Sequence, residues 1–454
     1  MNKQIQQSKN IKNAKLSTQP YKGARDFYPD DMRIRNYIFD TWKEVCKRYG
    51  FEEYDFPIIE PYEIFAAKTG EEIVSEQMFT LKDRGGRRLA VRPELTPGTV
   101  RMLAQRYNKL IKPIKWFMIG SNWRAEKPQK GRGREFYQLE MNTFGCMKVE
   151  ADVEIFSAMI DIMKEFGANE KQFRVYYSDR KLIKALLQDT LKLDKETQIK
   201  TRRIMDKMKK ISNKEFESQL KDLGLENGMI DRIKFFMKSK GSISNSTNLV
   251  KAIPQDILNK NKGFLTLKEL QKQLVDYDLD KYCEFDPSII RGFDYSDGIV
   301  YEVFDMNPSN NRSMFGGERF DKLINIFGNE YEMPSTGFAM GDVTLLEFLK
   351  GWDLLPALST YTKVLVTIFS ENTKKYSFNI AAKLRSEGIN TLTYLEDKKL
   401  DKQLKYADRK NIPYVIIIGP DEMKNDTIQL KDLKEKKQKE IKLEEAIKIL
   451  RNNI

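Results

Sequence analysis

The sequence predicts an α+β protein with an antiparallel sheet, an inserted helical segment and a C-terminal α/β domain. Separated strand-like runs, one with alternating polar and apolar residues, favour the antiparallel sheet. The Lys-rich stretch 181–274 is typical of helices, and two continuous apolar runs near the C terminus are typical of buried parallel strands. At 454 residues, the chain is too long for one hydrophobic core to be the first expectation.

The composition is that of a folded protein, with 40% apolar and 32% charged residues. No apolar run is long enough to cross a bilayer, so we expect no membrane insertion. Lys and Arg outnumber Asp and Glu by 79 to 66, which gives a formal charge of +13. Such an excess favours a polyanionic partner. On charge alone, a Lys-rich solvated surface is the simpler explanation, because the excess is spread along the chain.

Histidine is absent from the chain, which removes the commonest general base and the commonest metal ligand. Catalysis would then depend on positioning and on electrostatic stabilisation of phosphate charge, which arginines and a metal ion can supply. The three cysteines, Cys46, Cys146 and Cys283, are far apart and indicate neither a zinc site nor a disulfide framework. We therefore expect a reducing, cytoplasmic compartment.

The first ordered elements should follow a polar N-terminal extension. Residues 1–20 contain no acidic residue, and we expect them to be disordered. A helix is predicted after Asp30, with Gly50 at its C-terminal cap. Residues 54–59 are predicted as a strand, in which Pro57 indicates an edge or interface position.

The next strands are predicted at 89–96, 115–124 and 136–144. The last of them alternates, so that Gln138, Glu140 and Asn142 share one face. A polar face of this kind is either functional or simply solvated.

After the sheet, residues 181–274 are predicted as an inserted helical module with a Ser/Asn break at 241–248. Strand and turn signals return at 289–304 and 312–323, and an apolar helix is predicted after Gly341.

The composition shifts again after Leu358. Residues 364–369 and 414–418 are continuous apolar runs, and the segments between them are predicted as helices. The predicted organisation is a disordered extension at 1–20, a domain built from 21–180 and 275–358, a helical insertion at 181–274 and an α/β domain at 359–454.

A loop between two predicted strands concentrates positive charge around two glycines. Its basic residues are Arg124, Lys127, Lys130, Arg132 and Arg134. Glycine lets a backbone approach a ligand closely, and guanidinium groups match phosphate oxygens. A nucleoside triphosphate fits this loop, and so does an RNA backbone; the residues alone do not separate the two.

These segments resemble the histidyl-tRNA synthetases, a family of class II aminoacyl-tRNA synthetases. Residues 122–138 resemble motif 2 of that class, and 22–27 (KGARDF) resemble the start of the catalytic domain. The first helix and the strand with Pro57 resemble motif 1, the dimerisation element. The resemblance therefore implies a homodimer.

Four further segments carry the resemblance. Residues 91–96 (VRPELT) resemble the family's strand that binds the ammonium group of the amino acid. Residues 291–295 (RGFDY) and 316–321 (GGERFD) resemble its two histidine-specific motifs. Residues 402–419 resemble the anticodon-binding domain shared by the histidyl, prolyl, threonyl and glycyl enzymes.

The resemblance implies a class II catalytic domain with an antiparallel sheet and a helical insertion, followed by an α/β anticodon-binding domain. It also implies a histidine–tRNA ligase. Such an enzyme activates histidine with ATP, accompanied by Mg²⁺, to histidyl-adenylate. It then transfers the histidyl group to the 3′ end of tRNA(His).

By position, the resemblance assigns Arg124 to the α-phosphate of ATP, with Arg291 approaching it from the other side as the second catalytic arginine. Two guanidiniums can share the charge that builds on the phosphate oxygens. Glu126 and Arg132 would hold the adenine end and the outer phosphates. The residues implied for the amino acid are Glu94, Thr96, Gln138, Asn142, Arg291 and Tyr295, of which the first three would hold the ammonium group.

The sequence departs from the family pattern at three positions. Motif 3, at 337–341, is followed by Thr344 where the family has the arginine that clamps the γ-phosphate. Asn142 stands where an acid reads the imidazole, and Ser296 stands where a second tyrosine follows Tyr295. An Asn oxygen can still accept an imidazole N–H, but without charge assistance.

Two other functions stay open at this point. A regulatory paralogue, similar to the non-catalytic subunit of ATP phosphoribosyltransferase, uses the same fold for binding only. That paralogue lacks the anticodon-binding domain, so the C-terminal segment favours the enzyme. A class II synthetase for another amino acid is the second alternative, and the run at 291–295 argues against it.

Overall fold

The computed structural model describes the chain at 17–67, 77–129, 131–208, 211–244, 246–290, 298–310, 312–328 and 330–452. Most of the predicted N-terminal extension lies outside these residues. The chain divides into two compact units, one up to Leu355 and one from Pro356 onward. In the part of the chain that the structure describes, no helix is long and apolar enough to span a membrane.

The first unit is built on a large sheet. Its strands, with those of a smaller sheet, are β1 (Glu52–Glu53), β2 (Ile59–Pro61), β3 (Thr80–Lys82), β4 (Arg88–Val91), β5 (Ile114–Trp123), β6 (Glu135–Phe144), β7 (Phe173–Asp179), β8 (Cys283–Phe285), β9 (Ile299–Asp305), β10 (Ser313–Arg319) and β11 (Ser335–Gly341). Among the described residues, eight strands form the large sheet in the order β1-β5-β6-β11-β10-β9-β7-β8. Its interior pairs are antiparallel, as predicted, and only the two edge pairs are parallel.

Helices cover this sheet and fill the insertion. They are α1 (Pro29–Arg48), α2 (Tyr62–Ala66), α3 (Thr96–Gln105), α4 (Val149–Glu165), α5 (Arg180–Lys184), α6 (Lys195–Lys207), α7 (Asn213–Asp222), α8 (Asn227–Met237), α9 (Thr247–Ala252), α10 (Gln255–Lys260), α11 (Lys262–Asp276) and α12 (Asp342–Gly351). The helical character of 181–274 and the helix after Gly341 are confirmed. The predicted Ser/Asn break at 241–248 begins after α8, and its last two residues open α9. The Ser246 hydroxyl caps α9 by accepting from Leu249 N–H at 3.2 Å.

The largest apolar cluster of the first unit includes one face of the large sheet, where α1 and α4 pack. Leu139 and Met141 of β6 join this core with Phe117 of β5. Because side chains alternate along a strand, Gln138 and Glu140 face the opposite side. The predicted alternation of β6 is therefore confirmed.

Two predicted strands are wrong over part of their length. Residues 54–58 are not in a strand, and Pro57, which has no N–H to give to a ladder, lies between β1 and β2. The strand predicted at 89–96 ends at Val91, and Thr96 begins α3. Pro97 in the first turn favours this helix start, because the N–H that proline lacks has no partner there.

The second unit is an α/β domain, as the composition after Leu358 predicts. Its elements are β12 (Val364–Val366), α13 (Glu371–Ser386), β13 (Thr391–Thr393), α14 (Leu400–Arg409), β14 (Tyr414–Ile417), α15 (Pro420–Asn425), β15 (Ile428–Asp432), β16 (Lys437–Ile441) and α16 (Leu443–Asn452). The strand order is β13-β12-β14-β15-β16. Strands β13, β12 and β14 are parallel to one another, whereas the pairs β14–β15 and β15–β16 are antiparallel. The two apolar runs form β12 and β14 in its buried centre.

Candidate active site

The basic loop closes a hairpin between β5 and β6, and Arg124 is the first residue after β5. Its Nε donates to the carbonyl of Pro93 at 2.9 Å, and its backbone N–H donates to the carbonyl of Arg134 at 2.8 Å. The guanidinium also lies over the ring of Phe136, with 5.1 Å from Cζ to the ring centroid. Arg124 is thus held by the hairpin and by the segment that follows β4.

Glu126 lies between two of the arginines that the sequence assigns to ATP. Its carboxylate is 3.8 Å from Arg124 Nη1 and 3.6 Å from Arg132 Nη1. The Arg132 side chain is 58% exposed, so this contact is weakened by solvent. The structure therefore brings the three predicted ATP residues together and leaves the Arg132 guanidinium accessible.

The hairpin arginine nearest to β6, Arg134, has a different place. Its Nη1 donates to the Tyr21 hydroxyl at 2.5 Å and its Nε to the carbonyl of Glu126 at 3.1 Å. Its backbone N–H donates to the carbonyl of Gly23 at 2.7 Å. Arg134 therefore ties the segment that opens the first unit to the hairpin, although the sequence groups it with the phosphate-binding residues.

A buried carboxylate on β6, Glu140, organises the other half of the site. It accepts from the Thr96 hydroxyl at 2.5 Å, from the Tyr54 hydroxyl at 2.8 Å and from the Thr99 hydroxyl at 2.9 Å. Burial raises the pKa of Glu140, and these donors oppose that rise because they stabilise the charged form. Sequence reasoning placed Glu140 on the polar face but gave it no role, since its partners come from distant segments.

The predicted amino-acid residues lie around this carboxylate. Glu94, at 4% exposure, sits between β4 and α3, two residues before Thr96. Gln138 accepts from Asn122 Nδ2 at 2.8 Å, which orients its amide. Asn142 is buried two residues beyond Glu140, on the same face of β6.

Small residues form the floor next to Asn142. Asn142 pairs with Gly337 of β11, and Gly337 pairs with Glu318 of β10. A methyl group built on Gly337 would lie 1.8 Å from Asn142 Oδ1 and 2.4 Å from the Met141 carbonyl. Only glycine therefore leaves room at this point of the sheet.

Glu318 faces the same side of the sheet as Asn142. The next residue, Arg319, reaches Asp152 of α4 on the core side, with 2.5 Å between Nη2 and Oδ2. Because side chains alternate, Glu318 points to the opposite side. The carboxylate is buried, at 9% exposure of the residue. An acid thus stands two strands from Asn142, with only glycine between them.

Motif 3 carries two polar residues in place of the family pattern. Asp342 accepts from Arg25 Nη2 at 2.7 Å and from the Tyr137 backbone N–H at 2.9 Å. It therefore joins the start of the first unit to β6. The Thr344 hydroxyl donates to the Met314 carbonyl at 2.8 Å, which places residue 344 against the first residues of β10.

Some predicted site residues lie outside the described part of the chain. They are Lys130, Arg291, Tyr295 and Ser296. The shared grip of Arg124 and Arg291 on one phosphate stays a prediction. Among the described side chains, no group of three or more Cys, Asp or Glu could hold a metal ion.

A separate cavity of about 1390 Å³ opens between the helical segment and the end of β10. None of the described residues predicted for ATP or the amino acid lines it. Its lining mixes seven basic residues with four acidic ones, Asp152, Asp179, Asp321 and Glu332, and Arg319 is paired with two of these acids. The cavity is therefore distinct from the hairpin site.

The antiparallel sheet, its basic hairpin and the C-terminal α/β unit define a class II aminoacyl-tRNA synthetase. The family model described as "Histidyl-tRNA synthetase" matches residues 23–344, and the one described as "Anticodon binding domain" matches residues 363–453. The chain belongs to the histidyl-tRNA synthetase family.

Individual relatives cover nearly the whole chain. It is 38% identical to a histidine–tRNA ligase of Leptospira biflexa, over 98% of this chain and all of the relative. It is 34% identical to a histidine–tRNA ligase of Pyrococcus horikoshii, over 95% of this chain and 98% of the relative. The crystal structure of histidyl-tRNA synthetase from Nostoc sp. PCC 7120 has the same fold, with a TM-score of 0.83 at 23% identity, covering 97% of this chain and 100% of that one.

Proposed function

We propose that this chain is a histidine–tRNA ligase that forms histidyl-adenylate from histidine and ATP and transfers the histidyl group to the 3′ end of tRNA(His). One observation carries the proposal: the Arg124 guanidinium donates a hydrogen bond to the carbonyl of Pro93, the residue before Glu94. The short segment 93–94 therefore contacts a cation suited to phosphate and carries a buried acid suited to an ammonium group.

In the first step, a carboxylate oxygen of histidine attacks the α-phosphorus of ATP. A new O–P bond forms and pyrophosphate leaves, while negative charge builds on the phosphate oxygens. Arg124 stabilises that charge, and its contacts with Pro93 and Phe136 keep it in place without reorganisation. Arg291 is proposed as the second guanidinium. In the second step, a ribose hydroxyl at the tRNA terminus attacks the acyl carbon and AMP leaves.

The ammonium group of histidine is assigned to Glu94, Thr96 and Gln138. A buried carboxylate such as Glu94 is favoured by a paired cation. The Thr96 hydroxyl donates its hydrogen to Glu140, so its lone pairs stay available to accept from an ammonium group. Gln138 is oriented by Asn122 and offers an amide on the same face.

The imidazole is assigned to Asn142 and Tyr295, with Glu318 as the nearby acid. Asn142 can accept an imidazole N–H but carries no charge. Glu318 supplies the missing negative charge. It lies on the same face of the sheet as Asn142, and Gly337, which pairs with both residues, has no side chain to separate them.

The remaining assignments concern partners and organisation. ATP would be accompanied by Mg²⁺, which would neutralise part of the charge of the phosphates. A homodimer is supported by the resemblance to motif 1 and by the exposed apolar side chains of Ile58 and Ile59 at the edge of the small sheet. Three free cysteines suit a reducing, cytoplasmic compartment.

The domain bounds are proposed as 21–180 with 275–358 for catalysis, 181–274 for the insertion and 359–454 for anticodon binding. The tRNA is a polyanion, so the excess of basic residues in the C-terminal unit suits it.

ATP–pyrophosphate exchange, run separately with each of the twenty amino acids, tests the function. We expect exchange with histidine alone. Arg124→Ala should lower kcat/KM by roughly 10²- to 10³-fold, the usual cost of losing one donor to a developing oxyanion. An exposed arginine of α6, Arg203, gives a matched control, since Arg203→Ala should leave exchange unchanged.

Three outcomes would overturn parts of this proposal. Exchange with a different amino acid would make the chain a synthetase of other specificity. ATP binding without any exchange would favour a regulatory protein. Normal exchange in Arg124→Ala would show that the phosphate role is misassigned.

A further inference from the structure

The chain lacks the motif 3 arginine, yet the outer phosphates of ATP carry several negative charges that need cations. Thr344, at that position, carries no positive charge, and its hydroxyl is already engaged within the protein. Its hydroxyl donates to the carbonyl of Met314 at 2.8 Å and lies 3.3 Å from the carbonyl of Gly341. The threonine therefore links the start of α12 to β10.

An arginine lies two residues before Met314, just ahead of the strand that Thr344 contacts. Arg312 precedes β10, and residues 312 and 314 differ by two positions along the chain. The residue that replaces the motif 3 arginine and the new arginine are therefore close in space, although 32 positions separate 312 from 344.

The Arg312 guanidinium lies against the turn of the hairpin that holds the proposed ATP residues. A methyl group built on Gly131 would lie 2.3 Å from Arg312 Nη2 and 2.9 Å from Nη1. Gly131 has a φ of +77°, and the flanking Gln129 and Arg132 exchange two backbone hydrogen bonds of 3.0 and 2.9 Å. Glycine at this turn permits both the backbone conformation and the close approach.

Two guanidiniums therefore flank the same turn. Arg132 is the next residue in the chain and contacts Glu126, whereas Arg312 approaches Gly131 from the position just before β10. Both are neighbours of the loop whose backbone and side chains are proposed to hold the triphosphate.

We infer that Arg312 binds the outer phosphates of ATP in place of an arginine at position 344. The inference rests on the proposed ATP site and names a further substrate-binding residue in it. The same charge is thus delivered from the start of β10 instead of the start of α12. Arg312 and Arg132 together hold the β- and γ-phosphates, while Arg124 holds the α-phosphate.

Binding of ATP and of AMP, each measured by calorimetry on the full-length protein, tests this role. AMP has the adenine and the α-phosphate but no outer phosphates. Arg312→Ala should weaken ATP binding by roughly 10- to 100-fold, the effect of losing a charge-assisted hydrogen bond, and leave AMP binding within about twofold. Arg312→Lys should fall between the alanine variant and the wild type, since it keeps the charge without the fork.

Arg203→Ala is the matched control and should change neither affinity. Equal weakening of ATP and AMP in Arg312→Ala would show that Arg312 only braces the hairpin, and unchanged ATP binding would show that it takes no part. Either result overturns the inference. If the alanine variant does not fold, Arg312→Gln gives the same comparison, because it keeps a polar side chain of similar reach.

Failure of this inference is separable from failure of the proposed function. The nucleotide affinities measure Arg312 without histidine or tRNA. Histidine-dependent exchange by the wild type, measured beside them, tests the ligase activity. A wild type that prefers ATP to AMP but exchanges with no amino acid would reject the function and leave the Arg312 comparison valid.

Discussion

At the scale of single residues, the unusual group is Glu140, a buried carboxylate held by three hydroxyls. Burial alone would favour the neutral acid, while the hydroxyl donors favour the charged form. The pKa of Glu140 is raised, so burial outweighs the hydroxyl hydrogen bonds. Glu140 thus places a buried carboxyl group, whose charged form is costly to the fold, against the threonine proposed to receive the ammonium group.

The first prediction concerns this cost. A carboxyl whose pKa is raised in the folded state contributes stability below the unfolded value, and this contribution is lost as pH rises through the folded pKa. In Glu140→Gln that loss is absent, so the variant should gain stability relative to the wild type as pH rises above the ordinary value of 4.5. With no histidine in the chain, no imidazole titration obscures the comparison.

Urea unfolding followed by tryptophan fluorescence measures this difference. All four tryptophans, at 42, 116, 123 and 352, belong to the first unit, so the signal reports on that unit alone. A stability difference that stays constant between pH 4.5 and 8 would contradict the assigned pKa direction.

A second prediction tests the acid near the imidazole. Glu318→Gln keeps the shape of the side chain but removes its charge, so a charge-assisted hydrogen bond to the substrate is lost. We expect KM for histidine in the exchange reaction to rise roughly tenfold or more, with KM for ATP unchanged. Glu165→Gln, at an exposed position of α4, is the control. Equal KM values for histidine in both variants would remove Glu318 from the site.

At the scale of elements, the important feature of β11 is the absence of a side chain at Gly337. Gly337 lies between Asn142 and Glu318, and the carbonyl of Met141 on the neighbouring strand closes the remaining space. A second glycine, Gly341, ends the same strand in open surroundings, where an added methyl would meet only Thr344 Oγ1 at 3.5 Å.

This contrast gives a third prediction. Gly337→Ala should lower the free energy of unfolding of the first unit by roughly 1–3 kcal/mol, because the buried methyl must push a strand aside. Gly341→Ala should cost much less, since its backbone is extended and its surroundings are ordinary contacts. Comparable losses in both variants would mean that the floor is less tightly packed than its geometry indicates.

At the scale of the whole molecule, the two units divide the proposed work between chemistry and RNA recognition. The hairpin and the Glu140 cluster belong to the first unit. The second unit presents exposed basic residues on α14, namely Lys402, Lys405 and Arg409. Phosphate contacts from such residues strengthen RNA binding in a salt-dependent way.

The fourth prediction follows from this division. Replacing Lys402, Lys405 and Arg409 together by Glu should raise KM for tRNA and make its salt dependence shallower by roughly 1 for each phosphate that is no longer neutralised. Histidine-dependent exchange, which needs no tRNA, should stay unchanged. The charge-matched control replaces three exposed lysines of the β15–β16 hairpin, Lys436, Lys437 and Lys439. The same rise in KM in the control would show that the effect comes from the net charge of the unit and not from contacts made by α14.

Several structural features of this chain could be predicted from local sequence patterns. The spacing of apolar residues predicted α1, the alternation of β6 and the buried strands β12 and β14, because each depends on neighbours a few positions apart. The loop that carries Arg124, Glu126 and Arg132 was predicted for the same reason, since the two strands that flank it are adjacent in sequence. The motif resemblance supplied the family.

The features that only the tertiary structure decided join distant segments. Glu140 receives hydroxyls from Tyr54 and from the start of α3, and Glu318 is placed opposite Asn142 by strands β10 and β11. Arg312 meets Gly131 across 181 positions of the chain. Hydrophobic periodicity specifies which face of a strand is buried, but it does not specify which strands become neighbours. That choice depends on how the whole sheet closes its hydrogen-bond ladder over one core.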